Sequence, residues 1–124
     1  MRCPAARALA LLLLAAPALG LAATADVRVG QEPGRTRIVI DLPGPADYRP
    51  LPDADLRRVV FAVEGVTDLR GPRLRDLVGT PVLAIRGGDD GPDEPRLTLE
   101  LARDDLRVEH FALRPYAGRG HRLV

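Results

Sequence analysis

Two stretches of the chain, RIVIDL at 37–42 and RLTLEL at 96–101, repeat one order of chemistry: basic, apolar, small or β-branched, apolar, acidic, leucine. Apolar side chains on alternate residues fit a strand with one buried face and do not fit a helix. The context repeats as well. A short strand ending in glycine, and then a turn containing Pro and Gly, precede each copy. A turn with Asp, and then a segment carrying Arg-Pro (Arg49-Pro50 and Arg114-Pro115), follow each copy. The fourth element of the first half is RRVVFAVEG at 57–65, and its counterpart in the second half is HRLV at 121–124. Two halves of this kind each present an apolar face that only another sheet can cover. The expected fold class is therefore all-β: a small sandwich of two related antiparallel sheets. On the same alignment, the last strand reads as stopping at about half its expected length, which leaves an open edge.

The punctuation agrees. DVRVGQ alternates Val27 and Val29 against Arg28, and Pro33-Gly34 sits at the centre of a turn before RIVIDL, so a hairpin is predicted there. RRVVFAVEG is predicted as a buried strand, and PVLAIRG, RLTLELA and LRVEHFALRP as further strands. GPRLRDLVG at 71–79 is the single helical candidate, with Leu74, Leu77 and Val78 on one side of at most one short helix.

The first 25 residues read differently. Arg2 and Arg7 precede an apolar run, ALALLLLAA at 8–16, and small-residue sites follow at Ala18-Leu19-Gly20 and Ala23-Thr24-Ala25. That is the layout of a Sec-type signal peptide, with cleavage expected after Ala25. The run is short for a membrane span, so no stable membrane insertion is expected after processing. The domain is placed at 26–124 and the protein in the periplasm. Cys3 leaves with the signal, so disulfides and thiolate chemistry are excluded from the mature part. Without Arg2 and Arg7, sixteen arginines face seventeen acids, a net charge of −1, which argues against a nucleic-acid partner. Every basic residue is arginine, and no serine occurs.

At the level of whole segments, VRVGQEPGRTRIVIDLPGPADYRPLPDADLRRVVFAVEGV resembles the opening of an AMIN domain, and HFALRPYAGRGHRLV resembles its close. Such domains precede the catalytic zinc domain of periplasmic N-acetylmuramoyl-L-alanine amidases and also occur in type IV pilus secretins. The resemblance implies a β-sandwich and a peptidoglycan ligand. It implies division-site or envelope proteins as further partners, and targeting rather than catalysis. In the amidase setting, zinc is expected only in a catalytic domain beyond this segment, and no cofactor is expected here. The alternative is an assembly module of a secretin or another envelope complex.

Wall peptides carry carboxylates, and arginine grips carboxylates with two parallel hydrogen bonds. Arg28, Arg37 and Arg58 fall at outward positions of different strands. They either converge on one face as a ligand surface or make cross-strand pairs such as Arg37–Glu100 and Asp41–Arg58. Arg122, beside His121 in the glycine-rich tail, is a further carboxylate contact, or else part of a turn in which Gly118 and Gly120 supply positive φ. Tyr48 is the aromatic candidate for stacking on sugar, whereas Phe61 and Phe111 read as core. His110 and His121 lack a third ligand in spacing, and the acidic loop Asp89–Glu94 reads as solvated rather than as a calcium site.

Overall fold

The computed structural model describes residues 23–45, 47–88 and 96–124; residues 1–22, on which most of the signal-peptide expectation falls, and the acidic loop at 89–94 lie outside the described residues. Among the described residues nine strands run in chain order: β1 Thr24–Glu32, β2 Arg35–Asp41, β3 Tyr48–Leu51, β4 Arg58–Val63, β5 Asp68–Arg70, β6 Val82–Gly88, β7 Arg96–Leu101, β8 Ala112–Leu113 and β9 Arg122–Leu123. They form a five-stranded sheet, β5-β1-β2-β9-β8, and a four-stranded sheet, β3-β4-β7-β6. The all-β sandwich expected from the repeat is present. All the pairings are antiparallel except the short parallel one between β1 and β5.

The two halves do not each make a sheet. Each contributes one hairpin to either layer: β1-β2 and β8-β9 lie in the first sheet, β3-β4 and β6-β7 in the second. The prolines explain the exchange. Pro43 and Pro45 follow β2 and cannot donate to a ladder, so pairing stops and the chain passes to the other layer. The halves are then joined through two equivalent ladders. In one, Arg58 pairs with Glu100 and Val59 with Leu99. In the other, Arg122 pairs with Asp41 and Leu123 with Ile40. The internal repeat is therefore visible in the register, residue for residue.

Alternation places the core where the sequence pattern puts it. Val27, Ile40, Phe61, Val63, Leu97 and Leu123 are buried between the sheets, with Ile38, Val59 and Leu99 packed against them. The β1-β2 hairpin turns at Pro33-Gly34, where Gly34 takes φ 75°, the left-handed second position that a type II turn requires.

Three elements differ from expectation. First, β1 begins at Thr24, not Asp26. Ala25 is fully buried, and the Ala23 carbonyl accepts hydrogen bonds from the Thr67 and Asp68 amides. Second, GPRLRDLVG forms only a 3-10 turn at Leu74–Leu77. Leu77 alone is buried, and Leu74 and Val78 stand exposed, since a single turn has no sheet face left to cover. Third, LRVEHFALRP is a strand only at Ala112–Leu113, and Phe111 is 46% exposed rather than core. Both edges of β7 are already taken by β4 and β6, so the chain must cross to the other layer before it finds a partner.

One seam of the sandwich is sealed where β5 meets β6. A Cβ on Gly87 would lie 2.7 Å from the Leu69 Cβ and 3.0 Å from its Cδ2, so only glycine admits this approach. Gly87→Ala is expected to cost about 1–3 kcal/mol in urea unfolding; a variant as stable as the parent would show that the seam is loose. A polypeptide starting at Asp26 is expected to lose about 2 kcal/mol against one starting at Leu21, because it discards the buried Ala25 and the ladder to β5. Superimposable denaturation curves would refute this.

Candidate functional site

With Val27, Ile38, Ile40 and Leu123 turned inward, the outer face of the five-stranded sheet carries Arg28 and Glu32 from β1, Arg35, Arg37 and Asp41 from β2, and Arg122 from β9. Arg28 grips Asp41 with both arms of its fork: Nε donates to Oδ2 at 2.6 Å and an Nη to Oδ1 at 3.0 Å. The pair spans the β1-β2 ladder, in which Asp41 lies two residues beyond the partner of Arg28, Val39. The Asp41 hydrogen bond holds the Arg28 guanidinium above its usual pKa. Arg35 donates its Nε to Glu32 across the turn, and the Arg37 Nε lies 3.5 Å from the other Glu32 oxygen. The hydrogen bond from Arg35 pulls the Glu32 carboxyl below the ordinary carboxylate range, and the charges of Arg35 and Arg37 add to it. Arg70, arriving on β5, stands 3.6 Å from Asp26.

Arg122 is the exception on this face. It pairs across strands with Asp41, but both Asp41 oxygens are already engaged by Arg28. Its Nε is shielded from solvent and has no hydrogen-bond partner. Buried polar atoms are nearly always bonded, so an orphan nitrogen on a cation is an outlier that calls for a functional reason. The Arg122 side chain thus stands beside a carboxylate whose two oxygens Arg28 engages, with its own Nε unbonded.

The other predicted residues do not gather here. Arg58 lies on β4 in the opposite sheet. There Val59, Phe61 and Val63 face inward, so Arg58 points off the far side, 3.7 Å from Asp53 and across from Glu100. The convergence of Arg28, Arg37 and Arg58 is thus not realised, because the chain changes layers between β2 and β4. The anticipated pairs Arg37–Glu100 and Asp41–Arg58 fail for the same reason. Tyr48 turns toward the core. Its ring meets Phe61 edge-on at 6.0 Å, and its hydroxyl lies 2.9 Å from His110 Nδ1. His110 itself stacks edge-on against Phe61 at 5.1 Å. This cluster pins the crossing segment before β8 onto the sandwich.

One exposed aromatic is not marked by the strand pattern. Tyr116 is 79% exposed and forms a bridge with Arg119 in register with the β8-β9 hairpin. Ala117 and Gly118, at φ 52° and 75°, make the tight turn between them. Left-handed geometry at both central positions is that of a type I′ hairpin, with Ala117 in a conformation L-residues avoid. Gly118 thus has the positive φ expected of it; Gly120 does not adopt it. The signal was available as an aromatic beside a glycine pair, since a tip residue has no sheet to cover it.

Among the described residues, no group of three His, Cys, Asp or Glu is placed to hold a metal ion, and no helix is long and apolar enough to cross a membrane. The architecture is thus a two-layer β module with an arginine-bearing face. The AMIN domain family model matches residues 26–124, and the chain belongs to that family. AMIN domains are peptidoglycan-binding and targeting modules of amidases and secretins, typically in periplasmic proteins. Comparison with curated proteins finds no match.

If Arg122 serves no internal pair, Arg122→Met should unfold within about 0.5 kcal/mol of the parent. Arg28→Met, which leaves Asp41 without its fork, should cost about 1 kcal/mol. A greater loss for Arg122→Met than for Arg28→Met would make Arg122 a structural residue.

Proposed function

We propose that this chain is an exported, periplasmic wall-targeting module that binds peptidoglycan and positions an N-acetylmuramoyl-L-alanine amidase, with no catalytic role for its own residues. One observation carries the reading: on a family scaffold that binds peptidoglycan, Arg122 holds a guanidinium whose Nε is unbonded and whose neighbouring acid is occupied. The stem-peptide carboxylate is the matching anion. Arg28 and Arg37 set the positive border of the same face, and Tyr116 with Arg119 offers an exposed ring and cation at the tip of the adjoining hairpin. Arg58 and Tyr48 are secondary in this reading, one on the opposite face and the other turned into the core.

The processing expected of an exported chain fits best if cleavage falls after Gly20, since the alternative site after Ala25 would remove a core residue.

Co-sedimentation of the folded domain with purified sacculi tests the assignment. Arg122→Met is expected to weaken binding about tenfold, the loss of one charge-assisted contact. Arg58→Ala, on the other face, is expected to leave binding unchanged. Equal losses in both variants would remove the proposed face. No binding by the folded parent would favour the assembly-module reading instead.

A further inference from the structure

The residues around Asp41 have a counterpart in the other sheet. The repeat sets Asp41 against Glu100, and Val39 against Thr98. Arg28, opposite Val39, grips Asp41; Arg86, opposite Thr98, has its Nε 3.3 Å from a Glu100 oxygen. Arg122 begins β9 and pairs with Asp41; Arg58 begins β4 and pairs with Glu100. Each sheet thus carries the same row of arginine, carboxylate and arginine.

The two copies differ in the connection that leads to the third residue. Residues 114–121, between β8 and β9, include Arg114, Arg119 and His121 and no acid. Residues 52–57, between β3 and β4, include Asp53 and Asp55. The Asp53 Oδ1 accepts the Asp55 amide at 2.9 Å, and its Oδ2 lies 3.7 Å from the Arg58 Nε. Asp55 orders the rest of the connection: its Oδ1 accepts the Arg57 amide at 2.9 Å, and its carbonyl accepts the Arg58 amide at 3.0 Å. Aspartate forms turns of this kind with the backbone just beyond it. Here they fix a carboxylate beside Arg58, whereas the Arg122 Nε has no partner. A carboxylate tethered so near in the chain acts at an effective concentration on the order of millimolar or more, so a free one competes poorly.

On the reading of Arg122 as a carboxylate contact, on which this rests, we propose that Arg58 is a second site for a peptide carboxylate, built by the internal repeat and closed by Asp53. The ligand class is the same on both faces, because the arginine and its neighbouring acid are the same. One face is open because its hairpin brings no anion, and the other is shut because its hairpin brings one. Removing the Asp53 charge opens the second face and makes the module bivalent.

The test follows the arginine Nε–H signals of the labelled chain during titration with N-acetyl-alanine, a minimal peptide carboxylate. In the parent, Arg122 is expected to shift and Arg58 to stay in place. In Asp53→Asn, which keeps an oxygen for the Asp55 amide, both are expected to shift. Asp53→Ser keeps such an oxygen as well and repeats the measurement if the first variant does not fold. Asp105→Asn removes the same charge beside Arg103 and is expected to leave Arg58 unmoved. On sacculi, adding Asp53→Asn to Arg122→Met is expected to recover most of the roughly tenfold loss of binding. Three results overturn the proposal: an Arg58 signal that shifts in the parent, one that stays in place in both Asp53 variants while Arg122 responds, or one that shifts equally in Asp105→Asn. An Arg122 signal that does not respond in the folded parent removes the reading of the open face, and the closed one with it.

Discussion

The ladder between β4 and β7 is the interaction on which the rest of the molecule depends. It is the longer of the two strand ladders that join the halves of the chain. It also carries Phe61 and Leu97, which meet across it in the middle of the core. Each half consists of two hairpins that lie in different layers, so neither half can cover its own apolar face. Pairing β4 with β7 completes one sheet and supplies the surface on which β1, β2 and β9 pack. The hairpin ladders are local, but the core is not: residues far apart in sequence must meet before apolar burial offsets the entropy of ordering them.

Electrostatics on the outer face follows from the same backbone. The ladder puts Asp41 between Arg28 on one flank and Arg122 on the other; the Arg28 fork engages both Asp41 oxygens, and the Arg122 Nε has no partner. Here Arg28 takes both oxygens. Arginine rather than lysine makes this outcome sharp, because a planar guanidinium engages two acceptors at once and keeps its charge at any working pH. On this face Arg35 and Arg37 share Glu32, and Asp41 stands between Arg28 and Arg122, so cations outnumber acids locally although the charges of the whole chain nearly balance. That local imbalance, not the net charge, is what an anionic wall peptide would meet.

Much of the fold was written in alternation and turn chemistry. The Pro33-Gly34 hairpin, the buried RRVVFAVEG strand, RLTLEL and the correspondence of the two halves all reappear in the register. Layer assignment did not, because period-two patterning says which residues share a face but not which sheet a hairpin joins. That gap separated Arg58 from Arg28 and Arg37, and it paired Arg28 with Asp41 in place of the partners anticipated for Arg37 and Asp41. The placement of Tyr48 against Phe61 and His110 is not legible in the sequence for a related reason. An aromatic at a strand start looks exposed until the segment carrying His110 closes over it. Arg122 could be named from its surroundings in sequence, but its distinction rests on an orphan Nε that only three-dimensional placement reveals.

The close approach of Gly87 to Leu69 has a mechanical side. β5 and β6 are bound there like the spine of a book, by a contact with no room for one added methyl group. Close-packed interiors transmit strain, so a force on either sheet is handed to the other along that line.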